Sequence, residues 1–283
     1  MRKKIKRLKK ILRILILLIL LTIIIRAFFL GAFQIPTSSM ANSLLPGDFI
    51  IVNLAAYKIK TPAYFPILGF PIPSLNLFST GKPEINDVVL FSFPDVHNDP
   101  FYSTSIVKRI AAGPGDNLQI IDKRIYVNSK ESELPESVLK SLNSIKPADE
   151  EDKVIYYTGS GWNNHNYGPI KIPAKGDTIQ INPENIYIWK QLIVFEYEEK
   201  VVREEGSVIT IEGKPVRDYI VKKDQYFVIG DNFSNSRDSR HFGFINEDMI
   251  IGKASFIYWS VNRIKSSGSI FSGIRWDRMF SGI

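Results

Sequence analysis

Hydrophobic and polar positions divide the chain into one long apolar run near the N-terminus and many short apolar segments after it. The run covers residues 11–33, and only Arg13 and Arg26 interrupt it. As a helix with a rise of about 1.5 Å per residue, it would be about 34 Å long and could cross a bilayer core. We therefore predict a transmembrane anchor at residues 11–33, preceded by a basic cytoplasmic tail at residues 1–10.

A cleavable signal peptide is the competing interpretation of this run, because its uninterrupted part, residues 14–25, is short. The bulky sequence Ala27-Phe28-Phe29-Leu30 follows Arg26, however, where a cleavable peptide needs small residues. An arginine in a span can also extend its guanidinium to the interface. We therefore favour an uncleaved anchor. The basic residues before it predict that the chain after residue 34 lies on the extracytoplasmic side.

Short apolar segments bounded by Gly, Pro, Asn and Asp follow the anchor, a pattern typical of β-strands. A polar segment at residues 131–144 is predicted to be helical. The predicted strands lie within Leu44–Val52, Val88–Phe93, Ser105–Ile110, Leu118–Ile121, Arg124–Val127, Val208–Ile211, Val216–Val221, Tyr226–Ile229 and Lys253–Ser260, and around Ile170, Ile179, Tyr187 and Val194.

A change of composition divides the chain after the anchor. Residues 128–208 are polar and charged, and we predict that they form a subdomain inserted between the two parts of a core, residues 34–127 and 209–265. Residues 266–283 are predicted to be a poorly ordered tail, because they begin with a Gly- and Ser-rich stretch. The loop at residues 61–80 contains four prolines and many apolar residues. Burial under the domain and contact with the bilayer surface are both compatible with this loop.

Composition excludes several classes of function. The net charge of +7 is concentrated in nine basic residues up to Arg26, and the remaining 27 basic residues face 29 acidic ones. A nucleic-acid-binding domain needs a basic face on the folded part, which this balance does not provide. The chain has no cysteine, so it has no disulfide, thiolate zinc site or thiol nucleophile. We predict neither a cofactor nor a metal.

Ser39 is a candidate nucleophile, because it lies in the sequence Pro36-Thr37-Ser38-Ser39-Met40 shortly after the anchor. A serine needs a base to attack an amide at neutral pH. His97, His165 and His241 are the only histidines, and none lies in a motif that would direct it at this serine.

Lys108 is the alternative base. A lysine with a pKa of about 10.4 must lose about 3 units, or about 4 kcal/mol, to be neutral near pH 7 to 8. Strand alternation places Lys108 on the face of Ile106 and Ile110, where burial would supply that shift, and turns Arg109 outward. The same pattern also fits a lysine that faces water from an edge strand, so it leaves the role open.

Residues 230–240 form a cluster rich in Asp, Asn and Ser after a buried strand. Such a loop can be a hydrogen-bonded turn, or it can orient catalytic groups. Asp48, Asp231 and Asp238 raise the question of a metal site. Because Arg237 and Arg240 flank the last of these carboxylates, we predict salt bridges instead.

Four motifs in this order resemble the type I signal peptidase family: FQIPTSSM, LLPGDFIIVN, VKRIAAGPGD and GDNFSNSRDSRHFG. They cover about half of the chain together with the strands around them. The resemblance implies a mainly β, antiparallel-sheet signal peptidase fold with an N-terminal transmembrane helix and an inserted subdomain. His241 and Phe242 depart from the family, which more often has Tyr and Trp at these positions.

The resemblance also implies roles for individual residues. Ser39 would be the nucleophile and Lys108 the general base of a Ser/Lys dyad. The backbone of Ser39 and the Thr37 hydroxyl would form the oxyanion hole, and Ser236 would hydrogen-bond Lys108. Structural support would come from Asp48, Gly230, Asn232, Asp238 and Arg240. The implied substrate-binding residues are Phe33, Gln34, Ile35, Pro36, Met40, Leu44, Ile106 and Val107.

The function implied by the resemblance is removal of signal peptides from exported preproteins after small residues at −3 and −1. The partners would be preproteins delivered by the secretion machinery and membrane lipid, with no nucleic acid. The enzyme would span the bacterial inner membrane once, with its catalytic domain on the periplasmic face. Two alternatives are a self-cleaving Ser/Lys protease, which should carry an internal cleavage segment and a DNA-binding domain, and a membrane-anchored binding domain, which should tolerate substitution of Ser39.

Overall fold

An N-terminal helix, α1 (Arg2–Phe28), leads almost directly into the first strand, β1 (Leu30–Gln34). The computed structural model describes residues 2–62, 70, 72–73, 75–93, 104–139, 145–197, 202–205, 208–262 and 273–283. The elements that follow in chain order are β2 (Asp48–Asn53), β3 (Lys58–Lys60), β4 (Asn76–Ser79), β5 (Val88–Phe93), β6 (Thr104–Ala112), β7 (Asn117–Ile121), β8 (Arg124–Val127), β9 (Lys130–Glu131), α2 (Glu136–Leu139), β10 (Tyr167–Lys171), β11 (Thr178–Gln180), α3 (Ile186–Tyr197), β12 (Val202–Glu205), β13 (Val208–Ile211), β14 (Lys214–Pro215), β15 (Asp218–Ile220), β16 (Gln225–Ile229), α4 (Ser239–Phe242), β17 (Ile245–Asn246) and β18 (Ile250–Ser260).

Helix α1 has the length and composition of a membrane span. The most apolar 18-residue window of the candidate span Lys4–Phe28 has a mean hydropathy of 2.7, and none of that window is buried against the rest of the chain. The helix ends at Phe28, so the prediction that residues 30–33 belong to the anchor is wrong. Those residues pair with β2 instead, with Leu30 opposite Asn53 and Phe33 opposite Ile50.

A seven-stranded sheet organises the protein, with the strand order β1-β2-β18-β5-β6-β16-β17. All of its pairings are antiparallel, as are those of four smaller sheets, one of which has the order β10-β7-β8-β9. The mainly β, antiparallel fold with an N-terminal apolar helix is confirmed.

Both faces of the large sheet are covered at its centre. Val88 and Leu90 pack in one apolar cluster, whereas Val89 and Phe91 pack in another on the opposite face. A third cluster joins α3 to β7, β8 and β10. The four consecutive buried apolar residues Val88–Phe91 follow from this arrangement, because both faces of this part of the strand are covered.

Helix α3 corrects two predictions, because short strands were expected around Tyr187 and Val194. The Asn182 side chain accepts hydrogen bonds from the amides of Glu184 and Asn185, which begins the helix. At its last turn the buried Glu196 accepts hydrogen bonds from the Tyr219 hydroxyl and from neighbouring amides. These tertiary contacts override the strand propensity of a segment rich in Ile, Val and aromatic residues.

The predicted hairpin at residues 208–221 forms only in part. Strand β13 pairs with the short β14, but β15 leaves it and pairs with β11. Of the helix predicted within 131–144, the structure has α2, and residues 140–144 lie outside the described residues. Within the loop at 61–80, residues 63–69, 71 and 74 lie outside them too.

The end of the chain is ordered where a poorly ordered tail was predicted. Residues 263–272 lie outside the described residues, but residues 273–283 return to β18. The Arg275 amide donates to the Ser260 carbonyl at 3.0 Å, and the Phe280 amide donates to the Ile257 carbonyl at 2.7 Å.

Candidate active site

Ser39 lies in the loop between β1 and β2, defined here as the Ser39 loop, residues 37–47. A helical turn follows the serine, in which the Leu44 amide donates to the Met40 carbonyl at 2.8 Å. Met40 and Leu44 anchor this turn, because their side chains are buried in an apolar cluster. Ser39 itself remains half-buried, and its carbonyl accepts a hydrogen bond of 3.1 Å from the Asn232 amide.

Lys108 reaches Ser39 from β6. The distance between Lys108 Nζ and Ser39 Oγ is 2.5 Å, although the two residues are 69 positions apart. Lys108 is 2% exposed, which settles the choice between a buried and a water-facing lysine. Burial lowers the pKa of Lys108 from 10.5 to about 8, the positive charge of Arg240 adds to this effect, and the carboxylates of Asp238 and Asp231 oppose it.

Three further predicted residues surround this pair. Thr37 Oγ1 lies 3.4 Å from Ser39 Oγ, on the exposed side. Ser236 is buried, but its Oγ has no hydrogen-bond partner among the described residues, so the predicted bond to Lys108 is absent here. A Cβ atom at Gly230 would lie 2.1 Å from Ser236 Oγ and 2.5 Å from the Ser39 carbonyl oxygen. The close approach of the two loops therefore requires glycine at this position.

The 230–240 loop is braced by a fully buried ion pair. Arg240 donates to both carboxylate oxygens of Asp238, through Nε at 2.8 Å and Nη2 at 2.7 Å, and both side chains are 0% exposed. Asp238 also accepts from the Gly230 amide and begins α4 in a capping box with His241. The predicted salt bridge at Asp238 is confirmed.

A second buried pair joins β6 to the same loop. Arg109 donates to both carboxylate oxygens of Asp231 at 2.8 and 2.7 Å. The prediction that Arg109 faces outward is wrong, because Asp231 and the Ser39 loop lie against its side chain, and its Nη2 also donates to Ser43 Oγ at 3.3 Å. Asn42 in the Ser39 loop donates to the Asp231 carbonyl at 2.9 Å. Through Asp231, which binds both Arg109 and Asn42, the strand of Lys108 is connected with the loop of Ser39.

Asp48 supports the Ser39 loop from its other end. Its buried carboxylate accepts from the Leu45 amide at 2.7 Å and from Ser260 Oγ at 2.6 Å. Two arginines from the end of the chain also bind it, Arg275 at 3.1 Å and Arg278 at 2.6 Å. Burial alone would raise the pKa of Asp48, but these hydrogen bonds outweigh it and hold the pKa below its usual value.

The predicted substrate-binding residues fall into two groups. Ile35, Met40 and Leu44 are buried and form part of the core beneath the candidate substrate-binding surface. The residues with accessible side-chain surface are Phe33, Gln34, Pro36, Ile106 and Val107. A separate cavity of about 60 Å³, lined by Tyr57, Lys58 and Tyr226 among others, includes neither Ser39 nor Lys108.

The described histidines have other partners. His165 Nδ1 accepts from the Lys146 amide at 2.7 Å, and burial with the nearby charges of Lys123 and Arg240 lowers the pKa of His165 to about 4. His241 belongs to the capping box of α4. His97 lies outside the described residues. Within the part of the chain that the structure describes, no group of three His, Asp or Glu side chains could hold a metal.

Sequence reasoning missed several hydrogen-bonding side chains of this site, including Ser260, whose hydroxyl donates to Asp48. Asn235 Nδ2 donates to Ser38 Oγ at 3.1 Å, and Asn42 bridges the two loops. Arg275 and Arg278 meet Asp48 across more than 220 positions of sequence. Arg275 and Arg278 lie three residues apart in an otherwise sparsely charged tail. This spacing was the only feature of the sequence that could have indicated a shared acidic partner.

The sequence model of a family described as signal peptidase, peptidase S26, matches residues 8–259. A signal peptidase I of Buchnera aphidicola subsp. Baizongia pistaciae is 31% identical over 267 residues, which cover 90% of this chain and 77% of that protein. The signal peptidase I of Helicobacter pylori strain 26695 is 26% identical, covering 92% and 88%.

Among solved structures, the chain is similar to a signal peptidase I from Enterococcus faecalis. The identity is 18% and the TM-score is 0.31, and the match covers 61% of this chain and 96% of that one.

Proposed function

The chain belongs to the signal peptidase family, peptidase S26, and on this basis we propose that it removes signal peptides from exported preproteins by a Ser39/Lys108 acyl-enzyme mechanism. The observation that carries the mechanism is the distance of 2.5 Å between Lys108 Nζ and Ser39 Oγ. A buried lysine with a lowered pKa, in contact with a hydroxyl, is the arrangement that a serine nucleophile without histidine requires.

Acylation begins with Lys108 as the neutral amine. Its lone pair takes the hydroxyl proton as Ser39 Oγ forms a bond to the scissile carbonyl carbon. The oxygen that becomes negative is stabilised by the Ser39 amide and the Thr37 hydroxyl, each donor contributing about 3 to 4 kcal/mol. When the carbon–nitrogen bond breaks, the Lys108 ammonium gives its proton to the leaving amine, and the signal peptide remains as an ester on Ser39.

Deacylation uses the same two residues. Lys108, again neutral, takes a proton from a water molecule as the water oxygen attacks the ester carbon. The bond from that carbon to Ser39 Oγ then breaks, and the lysine returns the proton to the serine oxygen. The products are a signal peptide with a free carboxylate and the mature protein with a free amine.

Substrate binding is proposed beside β6. Residues 104–108 pair with β5 on one edge, and β16 pairs only with residues 109–112. Among the described residues, no strand occupies the other edge of 104–108, so an extended peptide can add there through main-chain hydrogen bonds. Phe33 and Val107, which pack in the same apolar cluster, would line shallow apolar pockets that admit only small side chains at −3 and −1, whereas Ile106 packs in the cluster on the opposite face of the sheet.

The membrane anchor is proposed to bring the enzyme close to its substrate. Helix α1 and a membrane-tethered preprotein share one bilayer, which raises their effective concentration. We place residues 1–10 in the cytoplasm and the catalytic core, residues 34–127 and 209–265, on the periplasmic face of the inner membrane, because the basic flank precedes the span. Residues 128–208 are proposed to be an insertion in that core.

Substrate specificity tests the proposal. A preprotein with Ala at −3 and −1 is expected to be cleaved by the detergent-solubilised full-length protein. The same preprotein with Leu at −1 should have a kcat/KM about 10²-fold lower, since a narrow pocket rejects the larger side chain. The two rate constants are measured by gel densitometry of precursor and mature protein.

The matched control is a preprotein with Leu at −2, because alternate side chains of an extended peptide point to opposite sides. It should be cleaved nearly as fast as the Ala substrate, and the Ser39→Ala protein serves as the blank. Equal cleavage of the −1 and −2 variants would contradict the proposed pockets. Absence of cleavage of the Ala substrate in lipid and in detergent would contradict the function itself.

The pH dependence of cleavage tests the base. Only neutral Lys108 can accept the proton, and its pKa is lowered from 10.5 to about 8, first by burial. The rate constant kcat/KM should therefore be low in acid, rise with pH through about 8, and level off above it.

A preprotein without titratable side chains near the cleavage site serves in this measurement, so that the profile reports the enzyme. A midpoint near the ordinary lysine value of 10.5 would contradict the role of burial. A midpoint near 6.5 would assign the base to a histidine instead.

A further inference from the structure

The end of the chain lies against the Ser39 loop, and this part is beyond residues 8–259, which the family model matches. The C-terminal segment, defined as residues 273–283, follows the edge of β18 that β5 leaves free. The Asn262 backbone amide donates to the Gly273 carbonyl at 2.7 Å, and the Ile257 backbone amide donates to the Ser281 carbonyl at 2.9 Å. Strand β5 pairs with β18 only up to Lys253.

Two arginines of the C-terminal segment bind the Ser39 loop directly. Arg278 Nη2 donates to the Ser43 carbonyl at 2.8 Å, and Arg275 Nη2 donates to the Pro46 carbonyl at 2.8 Å. Both guanidinium groups also bind the Asp48 carboxylate, which in turn accepts from the Leu45 amide. The arginines therefore hold the loop through its backbone and through a shared acidic partner.

The contacts with Asp48 are partly buried. Asp48 is 0% exposed, and the side chains of Arg275 and Arg278 are 19% and 21% exposed. Solvent screening is weak at such a site, so the contacts are stronger than those of surface ion pairs.

The loop is thus fixed at both ends of its helical turn. On the side of Ser39, the Asn232 amide binds the serine carbonyl. On the far side, the C-terminal segment binds Ser43, one turn after the serine. Attack on a carbonyl tolerates little displacement of the nucleophile, and a shift of about 1 Å can cost about 10²-fold in rate.

We propose that the C-terminal segment positions the nucleophile, with Arg278 and Arg275 as positioning residues that act on Ser39 through its loop. They do not touch the reacting atoms. The expected effect on kcat rests on the proposed function. The expected ordering of the Ser39 loop does not depend on that function.

The test compares Arg278→Gln and Arg278→Lys with the wild type in the full-length, detergent-solubilised protein. The Gln variant should lower kcat for the Ala preprotein by about 10- to 100-fold with little change in KM, since the loop and not the binding surface is displaced. The Lys variant should recover part of kcat. Arg217→Gln, at an exposed arginine away from the site, is the matched control and should cleave like the wild type.

Hydrogen exchange separates positioning from general destabilisation. In Arg278→Gln, amides of residues 38–45 should exchange faster, while those of β5 stay as protected as in the wild type. Unchanged kcat and unchanged exchange in the loop would overturn the proposal, as would faster exchange throughout the sheet. If the Gln variant does not fold, Arg278→Lys and Arg275→Gln decide the question by the same two measurements. If the wild type does not cleave the preprotein, the proposed function fails. The exchange experiment still tests whether the C-terminal segment orders the Ser39 loop.

Discussion

Replacing Lys108 by Met is expected to lower kcat/KM for preprotein cleavage by at least about 10⁴-fold. Methionine fills nearly the same volume in the buried site, but it has no amine to take the Ser39 proton. Ser39→Ala should cause a loss of similar size. Because the two residues act as a unit, the double variant should be no slower than the slower single variant. Single-turnover cleavage of the Ala preprotein measures all three.

Lys123→Met is the matched control, because Lys123 is also a buried lysine whose pKa is lowered by burial. It should cleave at a rate close to the wild type, which would show that loss of a buried lysine does not by itself inactivate the enzyme. Near-normal cleavage by Lys108→Met would refute the assignment of the base. A double variant far slower than either single one would show that Ser39 and Lys108 act independently.

Local patterns were sufficient to predict most of the large sheet. Strand β5 coincides with its predicted bounds, β6 begins one residue before and ends two residues after its predicted bounds, and β16 begins one residue before its own. These strands are short, largely apolar runs between turn residues, so hydrophobicity was sufficient to indicate their positions, although β6 also buries Lys108 and Arg109. Helix α3 could not be predicted in this way, because its ends are set by the side chains of Asn182 and Glu196, whose partners were unknown.

The candidate site shows a similar division. The resemblance of four motifs predicted that Ser39 and Lys108 meet, whereas strand alternation alone also fitted a Lys108 that faces water from an edge strand. Alternation also gave the wrong environment for Arg109, since it describes the two faces of a strand but not the loop that covers one of them. The contact of Arg275 and Arg278 with Asp48 depends on how the end of the chain returns to β18, which no local pattern encodes.

Removing one partner of the buried ion pair of Asp238 and Arg240 should strongly destabilise the catalytic domain. Arg240→Met is expected to lower the free energy of unfolding by about 3 to 5 kcal/mol, because it leaves a buried carboxylate without its counter-charge. Burial alone would raise the pKa of Asp238, but the charge and hydrogen bonds of Arg240 outweigh it and hold that pKa well below its usual value. The pair therefore stabilises the fold above the ordinary aspartate pKa of about 3.9, and this contribution is lost as pH falls below it.

Urea denaturation of the wild type and Arg240→Met at pH 7 and at pH 3 measures this contribution, and the difference between the two proteins should be smaller at the lower pH. Asp238→Leu combined with Arg240→Met is the matched control, since removing both charges avoids a lone buried carboxylate. Stability should be only partly restored, because Arg240 also donates to the carbonyls of Asn164 and Phe233. A single variant as stable as the wild type would mean that water reaches Asp238 and replaces the guanidinium, and the loop that carries Gly230 and Ser236 would then have to be held by other contacts.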